Sequence, residues 1–223
     1  MTNRLVDINI LAVLLFTFHF IGCTGGRQDK KSEEADIVEV NAPGSLFNGK
    51  TLDGWEITNF GPQGPVYVSG DAIILAMGDG CTGITWKKDF PDINYEVTLE
   101  AKREEGNDFF CGMTFPVGKD PCTLIIGGWG GTTVGLSCIN GLDASENETT
   151  TLRKFEKDRW YAIRLQVTEN EIKAWIDEDL VVDFTIADNI LSIRPEVELS
   201  KPFGIASWMT RAAIRNIRVK KIE

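Results

Sequence analysis

The sequence predicts an all-β domain, a sandwich of two antiparallel sheets, and three observations predict it. Tyr95, Val97, Leu99 and Ala101 alternate with Glu96, Thr98, Glu100 and Lys102, and Tyr161, Ile163, Leu165 and Val167 alternate with Ala162, Arg164 and Gln166. This period of two is that of half-buried strands. Turn pairs such as Asn48-Gly49 and Asp53-Gly54 punctuate the runs, and Gly takes a positive φ there without steric cost. Little of the chain reads as helix: about twelve strands are expected, which argues a sandwich. The 223 residues are 43% hydrophobic and 25% charged, a balance suited to one soluble domain with a sizeable core. A formal net charge of −10, with no basic patch or nucleic-acid motif, argues against a nucleic-acid partner.

Taken in order, residues 1–22 read as a signal peptide of lipoprotein type. Ile8 to Ile21 is mostly apolar, long enough for a signal-peptide core and short for a membrane-spanning helix. Gly22-Cys23 follows it, resembling a bacterial lipobox in which Cys23 becomes lipidated. Plain secretion and an uncleaved anchor are the alternatives. Residues 23–36 are polar and charged; they cannot bury enough apolar area to order themselves and read as a tether. The expected location is the cell envelope, on the periplasmic or outer-membrane face, with the membrane met only through the lipid.

Residues 37–223 read as a single domain. Leu46 and Phe47 enter its first turn, and Trp55 leaves the second. Beyond the two alternating runs already named, turns at Glu169-Asn170-Glu171 and Asp177-Glu178-Asp179 separate a meander of three strands ending near Ile186. Asn189 to Val197 is a helical turn or a long loop, limited by Pro195. Phe203 to Met209 and Ile214 to Lys221 close the domain.

Three strings, Leu46 to Trp55, Gly106-Asn107-Asp108 and Ile214 to Val219, resemble the 3-keto-disaccharide hydrolase domain family, also known as domain of unknown function 1080. The resemblance spans about Leu46 to Ile222. It implies a concanavalin A-like jelly roll whose concave face takes carbohydrate, and hydrolysis or elimination at a glycosidic bond. Metal-dependent members use His and carboxylate ligands, and many carry a Tyr-Glu-x-Gln strand. Here the matching region reads Thr123-Leu124-Ile125-Ile126-Gly127. A non-catalytic carbohydrate-binding or surface-interaction domain is therefore the alternative.

The residues narrow the chemistry. His19 is the only histidine and falls in the expected signal peptide, so Ser-His-Asp, Cys-His and imidazole-metal sites are not expected. No Cys-x-x-Cys pair occurs among Cys81, Cys111, Cys122 and Cys138; neither a metal nor another cofactor is expected. Folding the strands about Gly127 to Gly131 places Cys122 near Cys138, a candidate disulfide, with buried free thiols as the alternative. Glu100, Glu104, Glu105, Asp108 and Asp143 are candidate carboxylates. Asp108 is the preferred catalytic residue, because it begins the strand after the Gly-Asn turn of the resemblance. For sugar binding, aromatic faces stack on pyranose C–H bonds while Asn, Asp and Arg bond the hydroxyls. That selects Asn107, Trp129, Trp208 and Arg211. Trp129 sits among four glycines and either stacks on a ligand or folds back onto the core; Trp208 is either a second platform or core.

Overall fold

The computed structural model describes residues 44–222; the expected signal peptide, Cys23 and the tether lie outside the described residues. Strands β1 (Trp55–Ile57), β2 (Val66–Ser69), β3 (Ala72–Leu75), β4 (Cys81–Trp86), β5 (Tyr95–Glu105), β6 (Cys111–Val117) and β7 (Asp120–Gly128) form the first half. The second half contains β8 (Thr133–Ser137), β9 (Thr151–Leu152), β10 (Tyr161–Val167), β11 (Glu171–Ile176), β12 (Asp179–Thr185), β13 (Gly204–Trp208) and β14 (Arg211–Lys221). They build two seven-stranded sheets. The front sheet runs β1-β4-β13-β6-β7-β8-β9 and the back sheet β12-β11-β10-β5-β14-β3-β2, with every pairing antiparallel. This is the expected all-β jelly-roll sandwich.

The period-two pattern fixes the back sheet's register. Tyr95 pairs with Val167, Val97 with Leu165 and Leu99 with Ile163, so the apolar sets of β5 and β10 share the inner face. The expected meander is β10-β11-β12, turned where the Thr168 N–H donates to the Glu171 carbonyl. Phe110, Phe115, Phe203 and Tyr161 are fully buried between the sheets, and Phe203 stacks on Phe90 with ring centroids 4.2 Å apart.

The opening string anchors one end of the core. Asn48 Oδ1 accepts from the Lys50 and Thr51 N–H groups, both at 2.8 Å. Trp55 Nε1 donates to the Leu46 carbonyl at 2.8 Å, and its ring meets Trp86 edge-on at 5.1 Å. Gly54 is required here: φ is +86°, and a Cβ would stand 2.5 Å from the Trp86 ring. The domain's first and last segments also meet. Leu46 N–H donates to the Ile217 carbonyl and Val219 N–H to the Gly44 carbonyl.

Two details refine the expectations. The Asn189–Val197 stretch divides: Ile190 and Ser192 pair with Asn140 and Cys138, and a short 3-10 helix follows at Pro195–Ser200, with Pro at its start, where no N–H is needed. The candidate Cys122–Cys138 disulfide is corrected. Thr123 does pair with Ser137, which brings the cysteines close, but both thiols are free and buried. At Cys138 the chain leaves β8 to exchange backbone hydrogen bonds with Ser192.

Candidate functional site

On the outer face of the front sheet, Gly83, Ala206, Gly112, Ile125 and Gly135 stand in register across β4, β13, β6, β7 and β8. All but Ile125 are Gly or Ala, and such small side chains leave a shallow trough, most of which other segments fill. Phe109 lies over Gly112, its ring 2.9 Å from where a Cβ would stand. Thr149 lies over Gly135 at 3.1 Å, and Ser200 of the 3-10 helix covers Gly204 at 2.6 Å by the same measure. What remains is a cavity of about 260 Å³, somewhat below the size of pockets for drug-sized ligands, about 300–1,000 Å³.

Two carboxylates, Asp108 and Glu196, and one guanidinium, Arg194, line this cavity. Asp108 Oδ1 accepts from the Phe109 N–H at 2.7 Å, and its own N–H donates to Thr210 Oγ1 at 3.0 Å. Its Oδ2 takes no hydrogen bond among the described residues. Arg194 is held from two sides, by Asp143 Oδ2 at 3.0 Å and Glu196 Oε1 at 2.8 Å. The Arg194 hydrogen bond holds the Glu196 carboxyl below its ordinary range, and the same bond raises the guanidinium's affinity for its proton. Thr123 and Ser137 add hydroxyls to the floor. Cys81 also lines it, but burial, with Glu196 nearby, pushes its thiol up to about 12; a thiol so held is a poor nucleophile.

Trp129 and Trp208 supply aromatic faces. Trp129 is 40% exposed and carries a φ of +46°, unusual for a bulky residue. Its turn is closed by the Gly131 N–H donating to the Gly128 carbonyl at 3.1 Å. Trp208 is half-buried at the end of β13, paired with Cys81, and its backbone N–H donates to the Phe109 carbonyl at 3.0 Å.

Three of the residues selected from the sequence therefore meet in one cavity: Asp108, Trp129 and Trp208. Two do not line it. Asn107 is exposed, and its Oδ1 stands against Gly131 rather than over the sheet, because the Gly106–Asp108 turn sends the two neighbouring side chains to different places. Arg211 binds Glu104 Oε2 at 2.8 Å and the Tyr67 hydroxyl at 2.9 Å. Trp208 ends a front strand while Arg211 begins a back strand, so adjacency in sequence is lost where the chain changes sheets. Among the other candidate carboxylates, Glu100 pairs with Arg215, Glu104 with Lys102 and Arg211, and Asp143 sits behind Arg194. Arg194, Glu196 and Phe109 were not selected from the sequence. The one signal was Arg194-Pro195-Glu196, a charged, proline-marked break in a chain of strands. Among the described residues no group of three or more His, Cys, Asp or Glu side chains could hold a metal ion.

Residues 42–220 match the family described as 3-keto-alpha-glucoside-1,2-lyase-like domain. No curated protein matches the sequence. In structure the chain is similar to a candidate glycosyl hydrolase from Parabacteroides distasonis, with a TM-score of 0.53 and 14% identity, over 83% of this chain and 97% of that one. It is similar to the carbohydrate-binding module CBM66 from Bacillus subtilis, with a TM-score of 0.50 and 16% identity, over 75% and 96% of the two chains. A Bacillus subtilis protein with a galectin-like fold gives a TM-score of 0.54 at 12% identity, over 76% and 90%. At these identities the likeness is one of fold.

Proposed function

Because the chain belongs to the 3-keto-alpha-glucoside-1,2-lyase-like domain family, we propose that its front-sheet cavity binds a carbohydrate and cleaves the glycosidic bond of a ring that carries a ketone at C3. The observation that supports this is the meeting of Asp108, Trp129 and Trp208 in one cavity. An indole face stacks on the C–H face of a pyranose, and Thr123 and Ser137 also line the cavity, with the Thr123 hydroxyl shared with Thr114 Oγ1 at 3.0 Å; hydroxyls of this kind can bond a sugar's edge.

Elimination suits this side-chain set better than direct hydrolysis. Hydrolysis of an ordinary glycoside calls for an acid and a base or nucleophile on opposite sides of the bond, and here the second carboxylate, Glu196, is engaged by Arg194. A ketone at C3 makes the C2–H bond acidic, so a single base suffices. Asp108 takes the C2 proton, the electron pair forms the C1–C2 double bond, and the C1–O bond breaks. The departing oxygen carries the pair away and takes a proton from water, and the Asp108 carboxyl returns its proton to solvent. Water adding back across the double bond completes a net hydrolysis. The full protein is proposed to reach the cell envelope as a lipoprotein through Cys23.

A second reading, binding without turnover, is favoured by the same Glu196–Arg194 pair and by the lack of any histidine beyond His19. Methyl glucosides and 3-keto-glucosides of both anomers, followed by NMR and calorimetry, separate the two. Turnover that falls on the order of 10²–10⁴-fold in Asp108→Asn, with binding retained, supports the enzyme. Binding without turnover supports the second reading. Neither binding nor turnover of any probe would sink both.

A further inference from the structure

Arg103 is an unusual residue in this core. It continues the inward-facing row of β5 beyond Leu99 and Ala101 and is 8% exposed, yet no carboxylate hydrogen-bonds it among the described residues. Its guanidinium donates instead to two carbonyls, Phe155 at 2.9 Å and Gly131 at 3.4 Å, and lies 5.8 Å from the Phe110 ring centroid. Burial lowers its hold on the proton, which Tyr161 and the nearby Asp108 partly offset. An apolar side chain of the same volume would fill this space without desolvating a charge. What a guanidinium adds is a planar fork that can grip two separate acceptors.

One of those acceptors closes the loop that carries Trp129. Both ends of this loop are seated without room for a side chain. At Gly127, φ is +79° and a Cβ would stand 3.0 Å from the Phe110 ring. At Gly131, φ is +97° and a Cβ would stand 2.7 Å from Arg103 Nη1 and 2.5 Å from Asn107 Oδ1. Between them Trp129 occupies the left-handed region, a conformation that persists in a bulky residue only when its surroundings over-determine it. The Phe110 ring and the Arg103 fork are those surroundings, and Asn107, outside the cavity itself, completes the wedge.

We propose that Arg103 is a positioning residue: its fork holds the Gly127–Gly131 loop so that the Trp129 indole is presented to the cavity before any ligand arrives. The inference rests on reading Trp129 as a stacking surface, but its test reads the loop and needs no ligand. Protein labelled with 5-fluorotryptophan carries six labelled positions, one for each tryptophan, and the Trp129 fluorine signal is assigned by its loss in Trp129→Phe. Arg103→Met keeps the volume and Arg103→Lys keeps the charge; neither can grip both carbonyls. In both, the Trp129 signal is expected to shift or split while those of Trp55 and Trp86 hold their positions. A Trp129 signal unmoved in Arg103→Met, whatever happens to the melting temperature, makes Arg103 merely structural and overturns the proposal. A signal fully restored by Lys overturns the two-carbonyl grip. Should Arg103→Met not fold, Arg103→Lys carries the test alone, and a Trp129 signal unmoved in it overturns the proposal. These outcomes leave the carbohydrate reading untouched, and failure of every sugar probe leaves them untouched in turn.

Discussion

Trp129 and Phe110 sit a few residues apart in space and behave oppositely on truncation. Trp129 is 40% exposed and Phe110 fully buried. Trp129→Ala is expected to weaken carbohydrate binding roughly threefold to tenfold, in line with about 0.5–1.5 kcal/mol for an aromatic contact, with little change in melting temperature. Phe110→Ala is expected to cost about 3–5 kcal/mol of stability; calorimetric melts of both variants check the pair. Glu196 offers a pH test. Its carboxyl is held below the ordinary value by Arg194, so the pair's contribution to stability is present above the unfolded-state value and is lost as pH falls through the lowered folded-state value. Glu196→Gln should therefore melt below the wild type at neutral pH, and the gap should close on acidification. A gap independent of pH would disprove the linkage. At this scale Trp129 was legible because four glycines could not bury it. That Arg211 stands apart from the cavity could not be read, because a strand change separates it from Trp208 and strand changes leave no mark in a residue pair.

Strands were legible in proportion to how much of one face meets water. β5 and β10 alternate between buried and more exposed positions, so their period of two could be read directly. Every residue of β4 and of β8 is buried, because Phe109, the 138–150 segment and the 3-10 helix cover much of the front sheet's outer face. A strand covered on both faces shows no alternation, so neither the filled trough nor its occupants could be foreseen from pattern. The glycines beneath are the trace they leave. At Gly83 a Cβ would stand 2.5 Å from the Ile205 carbonyl oxygen, a backbone atom that cannot rotate aside. Gly83→Ala is expected to destabilise by about 1–3 kcal/mol, read from urea denaturation midpoints. At Gly112 the obstacle is the Phe109 ring, which can swing, so the same change there should disturb the cavity more than the fold.

For the whole molecule, composition and turn chemistry foretold the class, whereas strand order was hidden because it depends on pairings between distant residues. The proposed anchor belongs to this scale. A singly acylated chain binds membranes marginally and a multiply acylated cysteine stably, so Cys23→Ser should move the protein from the membrane fraction to the soluble one; a variant that stays with the membrane, its N-terminal segment intact, would end the lipoprotein reading. β14 has a further consequence, one of timing. It is the last of the described strands and spans 11 residues, yet it lies inside the back sheet, between β5 and β3. A nascent chain that lacks it has a gap inside the sheet, with β2 and β3 cut off from the other four strands. The sandwich cannot close before β14 has been made, since pairing of distant segments waits on the later one. Folding is thereby tied to the arrival of one late segment, because until β14 is made nothing joins β3 to β5.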